Sequence, residues 1–210
     1  MTVARGCFVV VEGPEGAGKS TLIRTLFDRL TQNGKRVDAQ REPGGTRLGY
    51  ALRQIALDPA ESPNPETELF LMLAARADLC DKWVRPGLAA GTTLLLDRFE
   101  LSTFAYQVAG RGLARDVVAA ANRLATGGLV PDAVIVLDIE RTVGVARQVA
   151  QGKGLDRLEQ EAESFHDRVH AEYRAYRGPG VVHLDASAAP AAVIEAAWHA
   201  LAAVRPDIFA

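Results

Sequence analysis

The sequence is short of several residue types, and each shortage closes a route. Its 210 residues include only two cysteines, Cys7 and Cys80, far apart and without metal-ligand spacing. That excludes a disulfide framework and a zinc finger, and predicts buried free thiols in a reducing compartment. The four histidines show no metal spacing either; His166 and His170 lie on a long helical pattern without a third ligand and read as solvated. Net charge is only −2, which argues against a nucleic acid or acidic membrane bound through bulk charge. The longest alanine-rich stretch, Ala186 to Val204, carries Glu195 and His199 and does not read as a membrane span. Only six residues precede the first apolar run, so no secretory leader is expected and the chain reads as cytoplasmic. No repeat, low-complexity tract or linker stands out. An Asn-Lys-x-Asp guanine signature is missing, which disfavours a GTPase switch, and the chain is too short for a two-domain helicase motor.

What is present is organised around Gly13-Pro14-Glu15-Gly16-Ala17-Gly18-Lys19-Ser20, with Thr21 behind it. An apolar run, Phe8-Val9-Val10-Val11, precedes it, and a helical pattern, Leu22, Leu26 and Leu30, follows. Strand, glycine-rich turn and helix are the context a phosphate-binding P-loop requires. Gly13, Gly16 and Gly18 let the backbone turn tightly and approach a phosphate, while the amides of the helix N-terminus point at the anion. Lys19 adds a charge for the β- and γ-phosphates, and the Ser20 hydroxyl suits Mg²⁺. The alternative, a glycine-rich turn that binds nothing, fits this context poorly, and a nucleoside triphosphate site is expected.

Apolar runs recur at 7–11, 36–40 (weaker), 92–96, 133–137 and 181–184, separated by helical patterns. This alternation predicts one α/β domain with a mostly parallel sheet, and 48% hydrophobic residues suffice for its core. Glu12, Asp97 and Asp138 end three of the runs, where ligands of open α/β sheets bind. Asp97-Arg98 reads either as a metal-holding carboxylate beside a phosphate clamp or as a structural ion pair. Arg41-Glu42-Pro43-Gly44-Gly45-Thr46 is either a turn with Thr46 as a helix cap or a loop that positions a phosphate acceptor through Glu42. Met72 and Arg76 lie four apart beside a core stripe of Leu69, Leu73, Ala77 and Cys80, on a helix starting near Pro65. Ser102 and Thr103 open a further helix and could simply cap it; Thr103 and Tyr106 share a face. The polar segment 148–157 reads as a short lid. Asp156 with Glu159 resembles a capping box opening a long amphipathic helix.

These stretches together resemble bacterial thymidylate kinase, specifically the enterobacterial form. EGPEGAGKST from Glu12, REPGGT from Arg41, AAR at 74–76, DRFELSTFAYQ from Asp97 and LDRLEQE from Leu155 occur in the family's order, and HLDAS at 183–187 resembles its adenine-side loop. The resemblance implies a three-layer α/β/α P-loop kinase fold with a five-stranded parallel sheet ordered 2-3-1-4-5, and a homodimer packed through helices, including the one carrying Arg76. It implies transfer of the γ-phosphoryl of ATP to dTMP with Mg²⁺, with no nucleic acid polymer and no membrane as partner. On matched positions, Lys19 and the amides of Gly13, Glu15, Gly16, Ala17, Gly18, Ser20 and Thr21 would hold the ATP phosphates, with Arg147 at the nucleotide. Ser20 and Asp97 would meet the metal. Arg98 would clamp the acceptor phosphate and Glu15 would sit near the acceptor sugar. Glu42, Ser102 and Gln107 would help place the acceptor, Arg76 would hydrogen-bond thymine, Thr103 would touch the base edge, and Tyr106 would crowd a 2′-hydroxyl. Asp156, Arg157 and Glu159 would lie at the closing lid. Two departures stand out. Met72 occupies a base-stacking position that is commonly Phe, so looser thymine binding, or help from Phe70 or Phe104, is expected. The lid lacks the arginines of the enterobacterial form, so Lys153, supported by Arg157, is expected to supply the catalytic cation.

Overall fold

Apolar residues at successive rather than alternate positions, as in Phe8–Val11, mark a strand covered on both faces. In the computed structural model, which describes residues 5–150, 152 and 155–210, that strand is β1 (Phe8–Glu12), every residue of it buried. It lies at the centre of an all-parallel sheet with β2 (Val37–Arg41), β3 (Thr93–Asp97), β4 (Ala133–Asp138) and β5 (Val181–Asp185). The order β2-β3-β1-β4-β5 is the expected one. Each strand falls within about a residue of its apolar run.

Parallel neighbours need crossovers, and helices supply them. In chain order these are α1 (Lys19–Gln32), α2 (Arg47–Leu57), α3 (Pro65–Leu79), α4 (Arg85–Ala89), α5 (Glu100–Thr103), α6 (Arg115–Thr126), α7 (Arg141–Ala150), α8 (Glu163–Ala175), α9 (Pro190–Val204) and α10 (Pro206–Phe209). Wider π-helical turns extend α3 over Cys80–Val84 and α5 over Phe104–Gly110. Because strand side chains alternate, Val9 and Val11 face one layer, with Leu22, Leu26 and Leu30 of α1 and Trp198 and Leu201 of α9. Phe8 and Val10 face the other, with Leu79, Val84, Leu88 and Phe99. The result is a three-layer α/β/α sandwich. None of its described helices is long and apolar enough to cross a membrane.

Two local expectations need correction. Ser102 and Thr103 do not cap a helix; they lie buried inside α5, which begins at Glu100. The capping box at Asp156 forms, with Glu159 N donating to Asp156 Oδ1 (3.0 Å) and Asp156 N donating to Glu159 Oε2 (2.9 Å). It opens only a turn, and α8 starts at Glu163. Tertiary bonds override the local signal: Arg157 N donates to Leu57 O (3.2 Å) and Arg157 Nε to Ala56 O (3.0 Å), tying the turn to the end of α2.

Candidate functional site: a P-loop joined to an acceptor cavity

The carboxyl ends of β1 and β3 open into a cavity of ≈ 640 Å³. The P-loop forms one wall. Gly13, Gly16 and Gly18 all take positive φ, at 137°, 74° and 96°. Gly16 is bare because it packs on α7: a Cβ there would lie 2.2 Å from Gly144 O. A Cβ on Gly18 would meet nothing within 4 Å, so this residue borders open space. Among the described residues, the N–H groups of Lys19, Ser20 and Thr21 find no acceptor, and α1 has no side-chain cap. Unsatisfied amides at a helix start, facing a cavity, are an anion site. Lys19 is 8% exposed, its Nζ donating to Gly13 O and Pro14 O at 2.8 Å each. Burial and the nearby Arg98 lower its pKa to about 8, against the pull of Asp97 and Glu15.

The residues expected to hold a metal fit one. Ser20 Oγ donates to Asp97 Oδ2 at 3.3 Å, while Asp97 Oδ1 is buried without a partner. A hydroxyl beside an orphaned carboxylate oxygen suits a hard cation such as Mg²⁺, which takes few protein ligands and keeps phosphate and water oxygens.

Arg98 stands at φ 73°, the sole non-glycine residue with positive φ among those described. Two features hold it there: its N–H donates to Val11 O (3.0 Å), and its side chain is fixed on all sides. Nη1 donates to Tyr173 OH (2.6 Å) and Ser102 Oγ (3.1 Å), and Nη2 pairs with Glu15. Tyr106 OH donates to the other Glu15 oxygen at 2.5 Å. Burial pushes the Glu15 carboxyl up, but Arg98 and then Lys19 more than offset it and hold the group near 2. Glu12, fully buried, stabilises the turn after Arg98 by accepting from Phe99 N (2.7 Å), Ser102 N (3.2 Å) and Ser102 Oγ (2.7 Å).

On the far wall, Arg76 is 3% exposed, not solvated on a helix flank. Nε and Nη2 reach Glu42 Oε2 (2.7 Å each), Nη1 donates to Thr103 Oγ1 (2.8 Å) and Asn122 Oδ1 (2.6 Å), and Nη2 also donates to Phe99 O (2.7 Å). Four of the five guanidinium hydrogens are hydrogen-bonded to protein, and Nη2 stands beside Glu42 as well, so Arg76 organises the wall. Glu42 Oε1 is buried and unpartnered, and burial raises this carboxyl despite Arg76.

The cavity brings together Glu15, Gly16, Gly18, Lys19, Ser20 and Thr21 with Glu42, Met72, Arg76, Asp97 and Arg98, and with Ser102, Thr103, Tyr106, Gln107 and Asp156. Gly13 and Ala17 lie behind it as framework. Arg147 stands beside it, donating to Gly16 O (3.4 Å) and Ala186 O (3.0 Å). Arg157 is directed elsewhere, to Glu68 Oε2 (2.7 Å) and the end of α2. Lys153 lies outside the described residues. Neither phenylalanine helps Met72: Phe70 is 64% exposed, and Phe104 is buried with Leu69, Leu73 and Val118.

Sequence reasoning missed Arg53 and His166, which also line the cavity with Arg41, Gln148 and Glu159, residues it named only as parts of a loop or of the lid. Arg53 donates to Pro43 O (3.1 Å), and burial, then Arg41, lowers its pKa. It belongs to no motif, and an arginine on an amphipathic helix carries no mark of the face it takes. His166, read as solvated, is half-buried at the cavity. Glu68, missed too, is 0% exposed and sits in the first turn of α3, where an acidic residue reads as ordinary dipole compensation.

Residues 11–196 match the family model for thymidylate kinase. The chain is similar to thymidylate kinase of Ectopseudomonas mendocina (strain ymp), 44% identical over 177 residues that cover 83% of this chain and 84% of that one. It is similar to thymidylate kinase of Pseudomonas fluorescens (strain SBW25), 43% identical over 199 residues, covering 93% and 94%. Thymidylate kinase of Thermomicrobium roseum is 44% identical over 194 residues, covering 91% and 92%. With a P-loop, a strand-end Asp97-Arg98 and an enclosed acceptor wall in one cavity, and with this similarity along almost its whole length, the chain belongs to the thymidylate kinase family.

Proposed function

We propose that this enzyme transfers the γ-phosphoryl group of ATP to dTMP, giving dTDP for nucleotide biosynthesis. The observation that carries this is the meeting, in one cavity, of Lys19 and the free α1 amides with Arg98 and the buried Arg76–Thr103–Gln107 wall. Phosphoryl transfer asks a protein chiefly for positioning and charge neutralisation. Lys19 and the amides hold the donor phosphates, and Ser20 and Asp97 would hold Mg²⁺, which neutralises phosphate charge when bound. Arg98 and Arg53, both lining the cavity, hold the acceptor phosphate. Glu15, ionised and tied to Arg98 and Tyr106, faces the acceptor sugar, and the Tyr106 ring crowds a 2′-hydroxyl. Lys153, on the lid, supplies a further cation to the transferring group. The protein works as a homodimer in the cytoplasm, where Cys7 and Cys80, buried and free, stay reduced.

Met72 at the position expected to stack on the base favours a second reading, in which the acceptor is dUMP. A coupled assay of ADP release from MgATP with dTMP, dUMP or no acceptor separates the readings. Turnover strongly favouring dTMP is expected; preference for dUMP would overturn the acceptor. Tight ATP binding without turnover on either would make the protein a nucleotide-binding member without catalysis.

A further inference from the structure

Glu68 is buried on α3 yet takes no part in the chemistry above. Its carboxylate accepts from Arg157 Nη2 (2.7 Å), from Arg111 Nη2 (2.9 Å) and Nε (3.2 Å), and from Gln107 Nε2 (2.8 Å). Two guanidiniums keep it ionised: burial pushes its pKa up, but the bonds from Arg111, Gln107 and Arg157 bring it below the ordinary value. An ionised carboxylate only accepts hydrogen bonds. The Gln107 amide is therefore not free to flip; its NH₂ must face Glu68, which leaves Oε1 as the group it can offer the cavity it lines. Thr103 is set in the opposite sense. Its Oγ1 accepts from Arg76 Nη1, itself anchored on Glu42, so its proton is free to point outward. The wall thus presents a donor at Thr103 and an acceptor at Gln107. An imide edge, with a carbonyl next to a ring N–H, complements that pair. Cytosine, with an amino group next to a bare ring nitrogen, can still meet the Thr103 hydroxyl but sets that nitrogen against the fixed Gln107 oxygen, acceptor against acceptor.

We propose that Glu68 is a positioning residue for base selection: it fixes the Gln107 amide so that the cavity accepts the ring N–H of thymine or uracil and rejects cytosine. This role presupposes the dTMP reading above. A mismatch of this kind leaves buried polar groups unpaired, which is how a polar site discriminates strongly. The 5-methyl group is outside its reach, so Glu68 bears on cytosine and not on uracil.

The test is kcat/KM for dTMP, dUMP and dCMP on the wild-type enzyme and on E68Q, with Tm measured for both. The glutamine keeps the shape but offers an NH₂, so the Gln107 amide can turn over. The dTMP:dCMP ratio is expected to fall about tenfold or more, while dTMP:dUMP stays within about twofold. A purely structural role would scale all three substrates together. An unchanged dTMP:dCMP ratio overturns the proposal. If E68Q does not fold, Q107M, which leaves Glu68 and its arginines intact, decides in the same way: the same selective fall supports it, and an unchanged ratio overturns it. A wild-type enzyme that prefers dCMP overturns the acceptor reading and this role with it, whereas a dTMP-specific wild type with an unselective E68Q effect overturns this role alone.

Discussion

Lys19 is a cation placed where desolvation works against its charge, and its two carbonyl partners only partly offset that. Its pKa of about 8, down from 10.5, gives nucleotide binding a pH dependence. A bound triphosphate favours the charged form and raises the pKa. Affinity is therefore flat below about pH 8 and falls from there up to the pKa of the complex, because binding must then take up a proton. Titrating ATP between pH 7.5 and 9.5 in two buffers of different ionisation enthalpy is expected to show this weakening, with net proton uptake at the alkaline end; a flat profile would mean that Lys19 is already charged. Residues of this kind were legible in the sequence because the P-loop is contiguous. Arg76 was legible as a position but not in its role. Its partners Glu42, Phe99, Thr103 and Asn122 come from segments far apart in the chain, and no spacing shows that they converge on one guanidinium.

Among the elements, the P-loop and α7 meet through bare backbone. A Cβ on Gly144 would lie 2.8 Å from Glu15 O, as one on Gly16 would lie 2.2 Å from Gly144 O. Gly→Ala inside a helix ordinarily stabilises, by roughly 0.5–1 kcal/mol. Here the sign is expected to reverse. G144A should lower Tm and weaken ATP binding about tenfold, whereas G178A, whose Cβ would meet only Val181 at 3.6 Å, should do neither. Calorimetry and ATP titration check both; a G144A variant more stable than wild type would mean that the contact yields easily. The central strands β1, β3 and β4 were readable because each is a compact apolar run ending in a carboxylate, whereas the weaker β2 run ends in Arg41. The start of α8 was not: the capping box at Asp156 is genuine, but Leu57, Ala56 and Glu68 hold Arg157 and end the turn.

Taken whole, the molecule leaves Phe70 on α3 and Val117 and Leu124 on α6 at 64%, 60% and 86% exposure, on two helices packed against each other. Large exposed apolar residues on neighbouring helices suit the proposed dimer. F70E and L124E are expected to shift sedimentation from dimer to monomer with the fold intact by circular dichroism; a monomeric wild type would rule the pairing out. The sheet order came from family resemblance and not from periodicity, since alternation alone allows several parallel orders. Seen at this scale, the Gly16–Gly144 contact is a fulcrum. Ala150, the last residue of α7, lies six residues beyond it, about 9 Å along the axis. Tilting the helix by about 10° on that point would swing its end by about 1.5 Å and press or release the P-loop, a lever with the proposed lid on one arm and the proposed nucleotide site at the pivot.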